Sequence, residues 1–305
     1  MLQYRRAKTA AVTAVTCLLA AACGSTSAAG SASSTSTTQG SKVASLAAEV
    51  PASVKAQGYL VFASGATIKP LYFLDQAGKI HGEETAQAAA VAKELGLPVR
   101  FENIPFAGII PAMAANRVDL TELTDTQARE ATVDFIDFSK TYFTFVVNSG
   151  NPKNISTPMS LCGDTVAQTQ GTPEIKAEEG WSTACTQSGK PAINIVQFND
   201  AQSSLLAVES GRAEAFLLDS TSAKQAVSQV SGLTTSGHVL DTYAGFAVLK
   251  SRPHLEKAIL DALTIAMKNG TIQAIARKYQ EEYGTPTTLL STPIVNAASN
   301  GTSTQ

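Results

Sequence analysis

The sequence predicts an α/β protein built as two lobes. Three observations predict it: the length of 305 residues, apolar runs of strand length, and helical stripes with 3.6-residue spacing between those runs. A chain of this length has material for two buried cores. Strands that alternate with helices indicate sheets covered by helices, with strands that are largely parallel.

The first part of the alternation precedes residue 150. Its predicted strands lie at 59–64, 99–104, 118–123 and 143–148. A helical stripe lies between the first two strands and consists of Ala88, Val91, Ala92 and Leu95. Gly96 follows the stripe and is the residue type that most often ends a helix.

The second part of the alternation follows the same rule. Its predicted strands lie at 164–169, 193–198, 213–219 and 245–250. Three further stripes are Ala223, Ala226, Val227 and Val230; Leu255, Ile259, Leu263 and Met267; and Ile272, Ile275, Ala276 and Tyr279. Each stripe has the spacing of one apolar helix face, so each predicts a helix packed on a sheet.

Two interruptions divide the chain into domains. The pattern breaks at 146–156, which holds Gly150 and Pro152, and again at 240–250, at Gly245. We take both as crossings between lobes. Lobe 1 is then discontinuous, residues 45–146 plus 245–285, and lobe 2 is residues 150–243. The remaining residues, 286–305, are mostly small and polar and predict a disordered tail.

The N-terminus predicts export. A basic start is followed by an apolar run that ends in "LLAAACG", which resembles a bacterial lipobox. The expected domains are a signal peptide at 1–22 and a lipid-anchored tether at 23–44, with Cys23 as the lipidated residue. The alternative is ordinary secretion after the small residues 20–22, with an incidental cysteine.

Cysteine usage agrees with an exported protein. The signal peptide removes Cys17 and the lipid occupies Cys23, which leaves Cys162 and Cys185. An even pair in an oxidising compartment predicts a disulfide, which should stabilise the fold by roughly 3 kcal/mol. Two buried free thiols are the alternative.

Composition excludes several classes of function. The formal net charge is −2 and 16% of the residues are charged, so no electrostatic footprint for nucleic acid exists. The three histidines, His81, His238 and His254, stand apart, and the sequence carries none of the common hydrolase, nucleotide-binding or zinc motifs. We expect no metal and no cofactor.

The stretch "TDTQAREATVDF" predicts an anion site. Thr124 follows a predicted strand and precedes Gln127 with capping-box spacing, which places Thr126 and Arg129 at a helix N-terminus. Hydroxyl groups, free N–H groups and one guanidinium suit a planar carboxylate. The alternative is a capped helix with a solvated arginine.

Two further candidates lie in lobe 2. In "TQGTPE", Gly171 and Thr172 precede Pro173, and we expect Thr172 to cap a helix whose N-terminus accepts the other carboxylate oxygen. Asp219 ends a predicted strand and either holds an ammonium group or only caps the next helix.

Several motifs resemble one family. From about Gln57 to Tyr283, "AKELGLPVRFENIPFAGIIPAM", "TDTQAREATVDF", "SLCGDTVAQTQGT" and "ESGRAEAFLLDS" occur in the order seen in the family 3 solute-binding proteins of ABC importers, which bind polar amino acids. The chain looks most similar to lipoprotein members of that family.

The resemblance implies a periplasmic-binding-protein-like type II fold, with a hinge and a ligand cleft between the lobes. It implies a carboxylate held by Arg129, Thr124 and Thr172, an ammonium group held by Asp219, and Phe106 along the ligand side chain. The expected partners are a small carboxylate-bearing solute and ABC permease subunits, and we expect a monomer on the outer face of the membrane.

The chain departs from the family pattern around the ligand. Gly65 stands where amino-acid binders usually carry an acidic residue, and Ile68 replaces an aromatic. The stretch "GEETAQ" keeps one of two usual acids as Glu84, and Glu122 replaces a small residue at the edge of the pocket. Glu122 keeps an alternative open, an enzyme similar to the cyclohexadienyl dehydratases with a general acid or base. A ligand sensor is the other alternative.

Overall fold

A computed structural model describes residues 46–65, 67–284 and 287–298 of the chain. The predicted signal peptide, the tether and Cys23 lie outside the described residues. Among the described helices, none is long and apolar enough to cross a membrane.

The described elements alternate as the sequence predicts. Up to the middle of the chain they are α1 (Ala52–Gln57), β1 (Leu60–Ser64), β2 (Thr67–Ile68), β3 (Tyr72–Leu74), β4 (Ile80–His81), α2 (Glu83–Glu94), β5 (Val99–Asn103), α3 (Ile109–Ala114), β6 (Thr121–Thr124), α4 (Gln127–Glu130) and β7 (Val133–Asn148). Then follow β8 (Thr165–Thr169), α5 (Glu174–Gln187), β9 (Asn194–Phe198), α6 (Ala201–Glu209), β10 (Ala215–Asp219), α7 (Ser220–Gln229), β11 (Leu233–Leu249), α8 (Pro253–Lys268), α9 (Thr271–Tyr283) and β12 (Thr288–Val295).

The main sheet is mixed, not largely parallel as predicted. Its order is β6-β11-β7-β10-β8-β9, with β12 added to β7. Strands β8, β9 and β10 pair in parallel, but β7 pairs antiparallel with β10, β11 and β12. The physical reason is that the long strands β7 and β11 run in opposite directions through the molecule. The prediction was based on short strand–helix units and did not anticipate such strands. Strands β1 and β5 form a separate parallel pair.

Hydrophobic packing divides the molecule into two halves. In the first half, which we call lobe 1, helices α2, α8 and α9 cover one side of β1 and β5, and α3 covers the other. In the second half, lobe 2, helices α6 and α7 pack on one side of the sheet and α5 on the other. Each of the two lobes expected from the chain length therefore contains two hydrophobic cores, one on each side of its strands.

Both long strands belong to both lobes. Residues Phe143–Val147 of β7 pair with β10 of lobe 2, whereas Val133, Phe135, Ile136 and Phe138 of the same strand are buried in the cores of lobe 1. The chain thus changes lobe within β7, ahead of the predicted break at 146–156. The lobe boundaries at 45–146 plus 245–285 and at 150–243 stay a prediction.

The predicted disulfide is confirmed. Cys162 and Cys185 are bonded, with their Cα atoms 5.6 Å apart. The bond joins the segment before β8 to helix α5, and Cys185 is fully buried in a core of lobe 2. Lobe 2 therefore carries a covalent link, as the pair of uncommitted cysteines predicted.

The predicted disordered tail at 286–305 is wrong for residues 287–298. Strand β12 pairs with Lys140 and Ser139 and again with Asp137 and Ile136, along the side of β7 that β10 leaves free. An uncovered strand side leaves N–H and C=O groups unpaired, and β12 satisfies them. The residues that follow β12 make further hydrogen bonds to β7 and to its neighbour Asp125.

Asn296 is the main polar anchor of this segment. Its Oδ1 accepts from the backbone N–H of Phe135 at 2.7 Å, and its Nδ2 donates to Asp134 at 2.9 Å. We predict that Asn296→Ala lowers the free energy of unfolding by about 1–3 kcal/mol, because the Phe135 N–H is left without its acceptor. Urea unfolding followed by circular dichroism measures the change.

The matched control is Ser291→Ala, an exposed position in β12, the strand that precedes Asn296. It should unfold within about 0.5 kcal/mol of the native chain, as surface substitutions usually do. Equal stability of Asn296→Ala and the control would show that the segment does not hold β7.

Candidate functional site

A cavity of about 560 Å³ lies between the two lobes. Lobe 1 contributes the ends of β1 and β6, the first turn of α2 and the turn before α3. Lobe 2 contributes the ends of β8 and β10 and the first residues of α6. This volume is in the range of small-molecule sites, and the carboxyl ends of sheet strands are where α/β folds bind ligands.

The structure brings most of the predicted site residues to this cavity. Phe106, Glu122 and Thr124 line it from lobe 1, and Thr172 and Asp219 line it from lobe 2. The other predicted residues, Thr126, Arg129 and Gly171, lie beside lining residues and are not part of the lining itself.

The helix that carries Arg129 begins two residues later than the capping-box prediction required. The cap is Thr126, whose Oγ1 accepts from the backbone N–H of Arg129 at 3.4 Å, and not Thr124. Thr124 is instead the last residue of β6, which leaves its side chain at the cavity. The prediction of a helix start after this strand was right, and the choice of capping residue was wrong.

The guanidinium of Arg129 is half-buried and forms no ion pair among the described residues. It donates from Nη1 to the carbonyl of Thr124 at 2.8 Å and lies 5.2 Å from the ring centre of Phe106. Burial lowers the pKa of Arg129, and the negative fields of Glu174 and Asp125 only partly offset that effect. A half-buried guanidinium that uses only Nη1 in hydrogen bonds to the described residues keeps further N–H donors for an anion.

Glycine is needed where the lobes approach each other. Gly171, in lobe 2, has φ of +81°, and a Cβ added to it would lie 2.7 Å from the Cβ of Ala107 in lobe 1. Helix α5 begins at Glu174 with Pro173 as its cap, so the predicted cap at Thr172 is wrong by one residue. Such one-residue differences are common at helix ends, and Thr172 still lines the cavity.

Asp219 caps helix α7, as one of its two predicted roles requires. Its Oδ1 accepts from the backbone N–H groups of Thr221 at 3.1 Å and Ser222 at 2.9 Å. Burial raises the pKa of Asp219, and these hydrogen bonds oppose that rise. Because Asp219 also lines the cavity, the capping role and contact with a ligand do not exclude each other.

On the acidic side of the cavity, the sequence analysis named Glu84 and Glu122 but missed Glu83, Gln87 and Thr287. Glu83, Glu84 and Gln87, all from the first turns of α2, line it next to Glu122, and Thr287 joins them from the C-terminal segment. Burial raises the pKa of Glu83 to about 7 and that of Glu84 to about 8, and it raises the pKa of Glu122 well above its usual range. The signal that could have indicated this cluster is "GEET", which places two acids in a helix start beside a predicted ligand loop.

The chain matches the model of one protein family over residues 60–282, described as bacterial extracellular solute-binding proteins, family 3. A curated relative is the L-cystine-binding protein TcyJ of Escherichia coli K12. It is 26% identical over 231 residues, which cover 74% of this chain and 84% of the relative.

Solved structures agree with this match. An ancestral arginine-binding protein bound to arginine is 29% identical, with a TM-score of 0.66, over 73% of this chain and 98% of that protein. An ancestral amino-acid-binding protein described as a precursor of cyclohexadienyl dehydratase is 27% identical, with a TM-score of 0.66, over 74% and 97%. The predicted two-lobed, type II binding-protein fold is confirmed.

The buried acids predict a pH dependence of stability. Glu84 holds its proton in the folded chain up to about pH 8 but releases it near 4.5 when unfolded, so its contribution is complete below 4.5 and is lost as the pH rises through 8. We predict that Glu84→Gln reduces the loss of stability between pH 5 and pH 8, by up to about 1.4 kcal/mol per pH unit. Thermal unfolding without any solute measures it.

The control is Glu281→Gln, an exposed carboxylate in α9. It should leave the pH profile of the unfolding temperature unchanged. Parallel profiles for the native chain and Glu84→Gln would show that Glu84 is ionised in the folded protein throughout this range.

Proposed function

The chain belongs to the bacterial extracellular solute-binding proteins of family 3, and on that premise we propose that it is the extracytoplasmic receptor of an ABC importer. It captures a small polar solute that carries a carboxylate, an amino acid or a derivative of one, between its lobes. The captured solute is then delivered to the permease subunits of the importer.

The observation that carries this proposal is the unpaired guanidinium of Arg129. Burying a charge is costly unless it is paired and hydrogen-bonded, so a fold keeps such a charge where a ligand completes it. Arg129 lies directly behind Thr124 and Phe106, and both of these line the cavity. A carboxylate at that corner would use the free N–H groups of the guanidinium together with the hydroxyls of Thr124 and Thr172.

An ammonium group has a matching position across the cavity. Asp219 lines the cavity from lobe 2, at the end of β10, whereas Arg129 lies in lobe 1. A zwitterionic solute would therefore contact a cation of one lobe and an anion of the other. Because each end of the solute binds a different lobe, the solute favours the closed arrangement over the open one.

Binding without turnover is the proposed outcome. A solved relative is a precursor of a dehydratase, and Glu122, with its raised pKa, is the residue that an enzyme of that kind would use as an acid. We infer that Glu122 contacts the solute as an acceptor instead. The curated relative at 26% identity is named as a binding protein.

The location of the receptor is also proposed. Cys23 follows "LLAAA" in an exported leader, and the next residues are small and polar up to about residue 42. A lipid on Cys23 would hold the binding domain, as a monomer, on the outer face of the cytoplasmic membrane through the residues that follow it.

We predict that Arg129→Ala and Asp219→Asn each weaken solute binding at least about thirtyfold, since losing one side of a buried charge pair costs roughly 2–5 kcal/mol. A thermal-shift screen of amino acids, opines, betaines and small carboxylates selects the solute, and calorimetric titration measures its affinity. Mass spectrometry of the solute after each titration should recover it unchanged.

Arg100→Ala is the matched control, because Arg100 also lies over an aromatic ring, that of Tyr59, at 4.8 Å, but its side chain is exposed and Tyr59, unlike Phe106, does not line the cavity. It should bind the solute as the native chain does. If Arg129→Ala binds the solute with native affinity, the proposal that Arg129 holds its carboxylate is wrong. Native affinity of Asp219→Asn alone would assign Asp219 only to the helix cap, because Asn caps nearly as well as Asp.

For the anchor, we predict that cells grown in labelled palmitate label the native protein and not Cys23→Ser, because the thiol of Cys23 is the attachment point. Both proteins should be found outside the cytoplasm, since the apolar leader is unchanged. Equal labelling of both, or of neither, would leave ordinary secretion as the reading of the leader.

A further inference from the structure

We propose that the lobe 1 side of the cavity is a second cation site, which takes a guanidinium or ammonium group at the far end of the solute. We call it the acidic wall and define it by Glu83, Glu84, Gln87 and Glu122. The inference rests on the proposed function, because it makes the solute a cationic amino acid rather than a neutral one. It is separate from Asp219, which lies in the other lobe.

The free polar atoms of the acidic wall are all acceptors. Oε2 of Glu84, Oε1 of Gln87 and Oε2 of Glu122 are buried and have no hydrogen-bond partner in the described part of the chain. Glu84 is 8% exposed and Gln87 1% exposed, so water reaches neither side chain freely. Buried acceptors without donors are rare in proteins, and here a solute that only donates would satisfy them.

Gln87 points to a ligand independently of the acids. Its amide nitrogen already donates to Oε1 of Glu83 at 3.3 Å, which turns its amide oxygen away from that carboxylate. The oxygen is left without a donor although the side chain lines the cavity. The amide oxygen of Gln87 can therefore accept a hydrogen bond from an N–H group of a solute, and it carries no charge of its own.

The C-terminal segment fixes one member of the acidic wall. The hydroxyl of Thr287 lies 2.9 and 3.1 Å from the two carboxylate oxygens of Glu83 and donates to them. Thr287 itself lines the cavity and lies beyond residue 282, where the family match ends. This part of the site therefore lies outside the matched region.

The negative field of the acidic wall has no cation within it. None of its carboxylates forms an ion pair with a described residue, and Lys140 of the lining lies over the ring of Tyr243 instead. The carboxylates also repel one another, which adds to the rise of their pKa values. The other titratable groups that face them are Tyr72, Tyr279 and Asp219.

An organic cation fits this arrangement better than a metal ion. The described residues contain no group of three or more His, Cys, Asp or Glu side chains placed to hold a metal. Acceptors spread over α2 and β6 instead suit a planar guanidinium, whose five N–H donors point in several directions. Binding such a cation near neutral pH should expel protons from the acidic wall, because the raised pKa values keep part of it protonated until the cation arrives.

The test uses pairs of amino acids that differ in one charge: L-arginine with L-citrulline, and L-lysine with L-norleucine. We expect at least one cationic member to bind the native chain at least tenfold more tightly than its neutral partner. Glu84→Gln and Glu122→Gln should each shrink that ratio at least threefold.

Glu178→Gln is the matched control for these variants. Glu178 is also a fully buried carboxylate with its pKa raised to about 8, but it lies outside the cavity lining. It should keep the native ratio. Titrating L-arginine at one pH in phosphate and in Tris measures the protons released, and Glu84→Gln should release fewer.

Agmatine, which is arginine without its carboxylate, separates this inference from the proposed function. If agmatine binds as tightly as L-arginine and Arg129→Ala does not change the affinity for L-arginine, the proposed carboxylate site at Arg129 is wrong, whereas the acidic wall as a cation site is supported. If the neutral amino acids bind as tightly as the cationic ones, the acidic wall is not a cation site, but the proposed receptor function is unaffected. No binding by any of the four amino acids or by agmatine would overturn both the cation site and the amino-acid assignment.

Discussion

Strands β7 and β11 pair along most of their length, and both lobes depend on that one ladder. Each strand contributes one end to the cores of lobe 1 and the other end to those of lobe 2. The pairing is irregular between Ser236 and Gly245, where the register shifts three times. At Gly245 the backbone of β7 comes so close that a Cβ would collide with it. Because the two lobes share these strands but have separate hydrophobic cores, a cleft lies between them.

The parts of the fold that the sequence predicted are those with a local cause. The apolar stripe from Ala88 to Leu95 forms α2, and Asp219 caps the helix that follows it. Strand β12 was missed because its partner is distant and because Pro293 and its polar neighbours are typical of loops. The sequence analysis named Glu84 and Glu122 but missed Glu83, Gln87 and the clustering of the acids, since Glu122 lies on β6, far along the chain from the two acids of α2. Only the fold brings these carboxylates together.

The site holds charges that the protein alone does not neutralise. On one side is a guanidinium that forms no ion pair with a described residue, and on the other are three carboxyl groups whose pKa values are raised, chiefly by burial. A fold selected only for stability would remove or pair such groups, because each costs free energy when buried. A solute with complementary charges, as proposed above, would complete these groups around the cavity.

The C-terminal segment connects these two features of the molecule. At its start Thr287 holds Glu83 of the acidic wall, and at its end Ala297 and Ala298 donate backbone N–H groups to Asp137 and Asp125. Asp125 lies between Thr124 and Thr126, at the carboxylate side of the site, and Asp137 belongs to β7. One short segment therefore contacts both ends of the proposed solute site and the strand on which the lobes depend. The segment therefore joins the hydrogen bonds that hold Glu83 to those that hold β7, so the acidic side of the cavity and the strand shared by the lobes are connected through one stretch of chain.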